Sequence, residues 1–153
     1  MIKALIRQAK FDELSRIIYI TKLAYKIPYK NVNFVTQPHE SKDEQEQIKN
    51  KEEFIIVAII KDKIVGAVRY KVDKQNNLYF FKLAVLKTYR GFGAGSLLID
   101  KIEKIASKKG CTKLMLDCAQ EKKLDGYYKK FGFKVDKIEE KIKHHVVYMS
   151  KKI

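Results

Sequence analysis

The sequence predicts a single α/β domain spanning residues 1–153, in which helices and strands follow one another in a mixed order. Three observations support this prediction. The chain has 153 residues, a length that fits one ordinary domain. Hydrophobic residues make up 46% of it, which is enough for a core and excludes a disordered or collagenous chain. Runs of β-branched and aromatic residues alternate with segments of helical periodicity.

The first third of the chain predicts a strand and two helices. Residues 2–9 alternate apolar and polar side chains, as in a short strand. An amphipathic helix follows, because apolar residues recur at steps of three and four. Its predicted apolar stripe consists of Phe11, Leu14, Ile18, Thr21 and Tyr25. Both prolines lie within residues 27–38 and predict a loop, and the polar segment 40–51 predicts an exposed helix with Ile48 as its apolar anchor.

The remaining elements follow from a change of period along the chain. The β-branched and aromatic runs 54–60, 64–72 and 78–85 are joined by short polar turns, which predicts an antiparallel meander of three strands. From Gly93 to Gly110 the period is helical. A strand over 113–119, a short helix over 122–131 and two closing strands over 133–138 and 145–149 complete the chain. The predicted order is β-α-α-β-β-β-α-β-α-β-β.

The net charge indicates an anionic partner. Lys and Arg number 33 and Asp and Glu 18, a formal charge of +15, and most of the excess lies in residues 77–153. Such a field attracts phosphate-bearing molecules, but only four of the basic residues are Arg, so a solvated lysine surface explains the excess equally well.

Several classes of protein and site are not indicated. The longest apolar run, Phe54–Ile60, is too short to cross a membrane, and the first residues do not form a signal peptide. We therefore expect no membrane association and a cytoplasmic location. Three His and two Cys without a Cys-x-x-Cys pair offer no metal-ligand spacing, so we expect no metal.

A glycine-rich loop, Arg90 to Ser96, lies between the strand 78–85 and the helix that follows. Glycines at a strand-to-helix junction let the backbone approach a ligand, and the first N–H groups of the helix attract phosphate oxygens. The P-loop pattern does not fit, because no Lys follows the glycines. The dinucleotide pattern fits poorly, because Ser96 stands where the third glycine is required, although Asp117 has the spacing of its ribose-binding acid.

Two motifs together resemble one family, the GNAT family of N-acetyltransferases. Arg90-x-x-Gly93-x-Gly95, after a strand ending in Leu83-Ala84-Val85, resembles its pyrophosphate loop. The segment from Tyr127 to Phe133, Tyr-Tyr-Lys-Lys-Phe-Gly-Phe, resembles its second motif. The predicted order of elements is also that of the family. The resemblance therefore implies a mostly antiparallel sheet, splayed between its fourth and fifth strands and flanked by about four helices.

The resemblance also implies an activity and a set of site residues. The enzyme would transfer the acetyl group of acetyl-CoA to the primary amine of a small molecule or peptide, which attacks the thioester directly. Tyr128 would protonate the departing CoA thiolate, and the backbone of the strand end would pair with the pantetheine arm. Pyrophosphate would bind to N–H groups of the loop. The implied cofactor-binding residues are Leu83, Ala84, Val85, Arg90, Gly91, Phe92, Gly93, Ala94, Gly95, Ser96 and Glu121.

Two departures from the family pattern leave questions open. Glu121 stands where the second motif usually has Asn, and the fourth strand lacks the carboxylate that often serves as general base. Asp117, Glu121, His144 and His145 are the candidate bases, and an ordered water chain or an amine that arrives unprotonated would also serve. Tyr128 could instead be a core aromatic residue. A non-catalytic module that binds CoA, or nucleic acid on its lysine-rich half, is the alternative function, and whether the chain forms a homodimer is open.

Overall fold

A seven-stranded mixed sheet forms the centre of the molecule. The computed structural model describes residues 3–25, 48, 52–120, 123–142 and 144–153. Within them the elements are β1 Leu5–Gln8, α1 Leu14–Tyr25, β2 Phe54–Ile60, β3 Lys63–Val72, β4 Leu78–Val85, α2 Ala94–Lys108, β5 Lys113–Ala119, α3 Asp125–Lys129, β6 Lys134–Glu140 and β7 His145–Lys152. The strands lie in the sheet in the order β1-β2-β3-β4-β5-β7-β6.

The predicted order of elements is confirmed for the described residues, with ends that differ by a few positions. The loop predicted over 27–38 lies outside the described residues. So does the helix predicted over 40–51, apart from Ile48, which is helical and packs against the core beside α1. No helix in the described part of the chain has the length and apolarity needed to cross a bilayer.

The buried face of α1 differs from the predicted stripe. Ile17 and Ile20 are buried with Thr21, whereas Phe11 is 62% exposed and Ile18 is only partly buried. Phe11 belongs to a separate 3₁₀ turn, Phe11–Glu13, which has a tighter period than an α-helix. The prediction continued the α-helical period back through this turn. As a result, the predicted apolar stripe does not coincide with the buried face of α1.

The core has two parts, one on each face of the sheet. The larger part packs α2 through Leu98, Ile99 and Ile102, and the smaller packs α1 through Ile17 and Ile20. Strand β2 contributes to both, because successive side chains point to opposite faces. Its uninterrupted apolar sequence is typical of a strand covered on both sides.

The sheet separates between β4 and β5. These two strands are parallel and pair only at Leu78 with Leu114 and at Tyr79 with Met115. Beyond that point β4 continues to pair with β3, and β5 continues to pair with β7 as far as Ala119. A cleft therefore opens between the ends of β4 and β5, which confirms the predicted splay.

Candidate active site

Two cavities meet in this cleft. The loop-side cavity, of about 490 Å³, is lined by the end of β4, the glycine loop and α3. The sheet-side cavity, of about 300 Å³, is lined by β4, β5 and His144. Four residues line both cavities: Tyr25, Leu83, Leu124 and Tyr128. A molecule held in one cavity can therefore meet a molecule held in the other.

The glycine loop presents its backbone to the loop-side cavity. Gly91 and Gly93 have φ angles of +91° and +81°, a left-handed conformation that side chains disfavour. After Gly93 the chain enters α2, and the Leu97 N–H and the Ser96 hydroxyl both donate to the Gly93 carbonyl, at 3.0 Å and 3.1 Å. The positive end of α2 thus lies at the cavity wall, where an anion is stabilised. Of the predicted loop residues, Phe92 alone does not line the cavity.

The end of β4 directs alternate main-chain groups into the cleft. The Leu86 N–H donates to the Val65 carbonyl at 2.9 Å, and in this antiparallel register Ala84 also directs its main-chain groups toward β3. The main-chain groups of Leu83 and Val85 then face the cleft. All three residues line the loop-side cavity.

Two side chains donate to these cleft-facing carbonyls. The Tyr25 hydroxyl donates to the Leu83 carbonyl at 3.0 Å, and Arg90 Nε donates to the Val85 carbonyl at 3.1 Å. Arg90 therefore lines the cavity with its guanidinium turned back onto β4. Tyr25, at the end of α1, lines both cavities beside the end of β4.

Tyr128 lies at the junction of the two cavities, and it is 8% exposed. Its ring packs edge-on against Phe80 and Phe133, with centroids 6.2 Å and 6.1 Å away. Burial raises the pKa of its hydroxyl well above the usual value for tyrosine, so the group is protonated at neutral pH. Tyr128 is thus a core aromatic residue that also lines both cavities of the cleft.

Asp117 and His144 are the two candidate bases that line the sheet-side cavity. The Tyr79 hydroxyl donates to Asp117 Oδ2 at 2.7 Å, and burial together with this carboxylate raises the pKa of Tyr79 far above its usual value. His145 is exposed and lines neither cavity. Glu121 lies outside the described residues.

Cys118 also lines the sheet-side cavity. Burial raises the pKa of its thiol to about 11, with smaller contributions from the nearby carboxylates of Asp125 and Asp117. Because the thiolate is the nucleophilic form, this cysteine is not suited to attack a thioester at neutral pH. Within the described ranges, no three His, Cys, Asp or Glu side chains cluster so as to hold a metal ion.

Three site residues were not predicted as such from the sequence: Tyr25, Tyr79 and Tyr127. Tyr25 and Tyr79 were assigned only to an apolar stripe and to a strand, and their partners lie 58 and 38 residues away. Tyr127 lies over the glycine loop, and a Cβ atom added to Gly95 would be 2.8 Å from its hydroxyl oxygen. The motif spacing had singled out only its neighbour, Tyr128.

Comparison with known proteins identifies a family. Residues 21–133 match the model of the acetyltransferase (GNAT) family. A GNAT-family acetyltransferase from Streptococcus pneumoniae has a similar structure, with a TM-score of 0.76 and 20% identity over 99% of each chain. The PaiA N-acetyltransferase of Thermoplasma acidophilum, solved in complex with coenzyme A, gives a TM-score of 0.75 and 20% identity over 99% of each chain.

A third similar structure is the ribosomal-protein-S18-alanine N-acetyltransferase of Escherichia coli. It gives a TM-score of 0.77 and 16% identity over 98% of this chain and 94% of that one. At these identities the three structures establish a shared fold. The family model identifies the family as well as the fold, because its match spans both the glycine loop and the second tyrosine motif. The chain therefore belongs to the acetyltransferase (GNAT) family.

Proposed function

We propose that this acetyltransferase transfers the acetyl group of acetyl-CoA to a primary amine, with Tyr128 as the general acid. The position of Tyr128 carries the proposal. It lines both cavities, and its hydroxyl makes no hydrogen bond to any residue that the structure describes. A protonated hydroxyl at the point where two substrates meet is placed to donate a proton to a leaving group.

The loop-side cavity would hold acetyl-CoA. The N–H groups of Gly91, Gly93, Ala94, Gly95 and Ser96 would bind its pyrophosphate at the positive end of α2. The pantetheine arm would lie along β4 and pair with the main chain of Leu83 and Val85 as an added strand does. Coenzyme A in the similar PaiA structure supports this choice of cosubstrate. Glu121 remains a predicted cofactor contact.

The sheet-side cavity would hold the amine. The amine nitrogen attacks the thioester carbonyl carbon, and the N–H group of Val85, which faces the cleft, would stabilise the oxyanion. When the C–S bond breaks, the electron pair stays on sulfur, and the CoA thiolate takes the proton of Tyr128. The proton lost by the amine passes to a base at the cavity wall, where Asp117 and His144 are placed to accept it. That base then gives up its proton to solvent, and a proton from solvent restores the Tyr128 hydroxyl, so the turnover leaves both groups in their starting states.

Replacing Tyr128 by phenylalanine tests the proposal, because it removes the hydroxyl and keeps the ring in the core. We expect kcat to fall about a hundredfold, while calorimetry shows an unchanged Kd for acetyl-CoA. Tyr19→Phe is the matched control, since Tyr19 is exposed on α1 and lines neither cavity. Thiol release during amine acetylation measures turnover. A Tyr128→Phe enzyme as fast as the Tyr19→Phe control would refute the general-acid role.

A further inference from the structure

The sheet-side cavity is lined mainly by rings and apolar side chains, with few charges. Among the described residues that line it, Asp117 is the one carboxylate and Lys82 the one lysine. Their formal charges cancel, although the whole chain carries +15. Among these described lining residues, an acceptor with several positive charges would meet one carboxylate, whereas the charge of an amine with one positive charge would be balanced by it.

The Asp117 carboxylate is held in a fixed position by Tyr79. The hydroxyl of Tyr79 donates to Oδ2 at 2.7 Å, and a carboxylate has about four lone-pair sites. The remaining sites can accept hydrogen bonds from an ammonium group. Because Tyr79 keeps its proton, it stays a donor to Asp117 and does not compete for the cation.

Next to this carboxylate is a stacked pair of rings. Tyr79 and Phe81 have their centroids 5.3 Å apart with an interplanar angle of 14°, and both line the cavity. The ammonium of Lys71 lies 5.7 Å and 5.8 Å from the two ring centroids, distances at which a ring face attracts a cation. Lys71 thus already lies against these rings, and the ring surface that lines the cavity offers apolar, flat contacts beside the Asp117 carboxylate.

We propose that the acceptor is a small primary monoamine on an aromatic group, an arylalkylamine. Its ammonium would bind Asp117 and would lose one proton to a base at the cavity wall before the nitrogen attacks the thioester. Its ring would pack against Tyr79 and Phe81. This inference rests on the proposed function, since it places the acceptor in the sheet-side cavity of an acetyl-CoA-dependent enzyme. The cavity volume of about 300 Å³ is at the lower end of ligand pockets and fits a small molecule.

A panel of amines tests the substrate class with the unmodified protein. The probes are 2-phenylethylamine, n-hexylamine, spermidine and a short lysine-containing peptide, each assayed by thiol release from acetyl-CoA. We expect kcat/KM for 2-phenylethylamine to exceed that for spermidine and for the peptide at least tenfold. Asp117→Asn should raise KM for 2-phenylethylamine at least tenfold, an effect on amine binding that is distinct from the fall in kcat expected on loss of a general base, without changing the Kd of acetyl-CoA.

Two further variants separate recognition from general damage. Asp136→Asn is the matched control, because Asp136 is an exposed carboxylate on β6 and lines neither cavity; its kinetics should match those of the unmodified enzyme. Phe81→Leu should reduce the preference for 2-phenylethylamine over n-hexylamine, because it removes one ring of the stacked pair.

The outcomes distinguish this inference from the proposed function. If acetyl-CoA does not bind, the proposed function fails and the inference fails with it. If acetyl-CoA binds and spermidine or the peptide is preferred, the inference alone is overturned. If acetyl-CoA binds and no amine of the panel is acetylated, the inference is overturned and the result favours the non-catalytic CoA-binding module over the proposed function. Equal kinetics for Asp117→Asn and Asp136→Asn would also overturn the inference.

Discussion

Replacing Gly95 by alanine tests the contact between the glycine loop and Tyr127. The added methyl group would lie 2.8 Å from the Tyr127 hydroxyl oxygen and 4.0 Å from Val85 Cγ2, so only the hydroxyl must move. Alanine in place of glycine stabilises a helix by about 0.5–1 kcal/mol, and displacing Tyr127 from its rotamer costs about 0.5–1.5 kcal/mol. We therefore expect Gly95→Ala to change the free energy of unfolding by less than about 1 kcal/mol.

The same substitution should behave differently when the hydroxyl is absent. In a Tyr127→Phe background the methyl group has room, and the helix gain of about 0.5–1 kcal/mol should appear in full. Urea unfolding of the four proteins gives the coupling energy, which we expect to be about 1 kcal/mol. Equal effects of Gly95→Ala in both backgrounds would refute the contact.

Cofactor affinity gives a second, independent readout of these four proteins. In both backgrounds the methyl group lies in the loop-side cavity. The Kd of acetyl-CoA, measured by calorimetry, should therefore rise about tenfold, or ~1.4 kcal/mol. An unchanged Kd would show that the loop does not hold the pyrophosphate.

Three further predictions concern other parts of the molecule. A methyl group on Gly66 would lie 3.1 Å from the Ala84 carbonyl oxygen, so Gly66→Ala should lower the free energy of unfolding by about 1–3 kcal/mol; an unchanged urea midpoint would contradict this. A hydrogen bond from Arg7, with a smaller contribution from the Lys10 N–H, lowers the pKa of Glu13 to about 2 from a usual value of 4.5. The stability that this group contributes is complete above about pH 4.5 and is lost as the pH falls toward 2. Between these values urea midpoints should decline less steeply for Glu13→Gln, and parallel declines would argue against the ion pair. Burial raises the pKa of Cys118 to about 11. At pH 8, iodoacetamide should alkylate this thiol at least about tenfold more slowly in the folded protein than in urea, as followed by mass spectrometry, and similar rates would show that the thiol is not protected.

Local patterns were sufficient to predict the loop and its flanking elements. The glycine spacing from Gly91 to Gly95 and the change from a two-residue to a helical period both act within a few residues. The role of Tyr128 was implied by the family resemblance and stays a prediction, while the residue itself lines both cavities. The splay of the sheet was implied by the family resemblance, and the two-pair ladder between β4 and β5 confirms it.

Contacts between distant segments were beyond sequence reasoning. The pairing of Tyr79 with Asp117 requires β4 and β5 to be neighbours, and the bond from Tyr25 to Leu83 requires α1 to end beside β4. Neither contact produces a periodic pattern in the sequence, because the two partners lie in separate elements 58 and 38 residues apart. The same limit affected the four candidate bases, since the fold was needed to show that Asp117 and His144 line the cavity while His145 does not.

The two capped carbonyls of β4 affect how a ligand would gain affinity in this groove. The Leu83 oxygen already accepts from Tyr25 and the Val85 oxygen from Arg90. Each carbonyl oxygen has two lone pairs, so a pantetheine amide could share either oxygen with the donor already present. A carbonyl that already has a partner gains less from a second hydrogen bond than an unsatisfied carbonyl would. We therefore expect pantetheine without its nucleotide to bind more weakly than CoA.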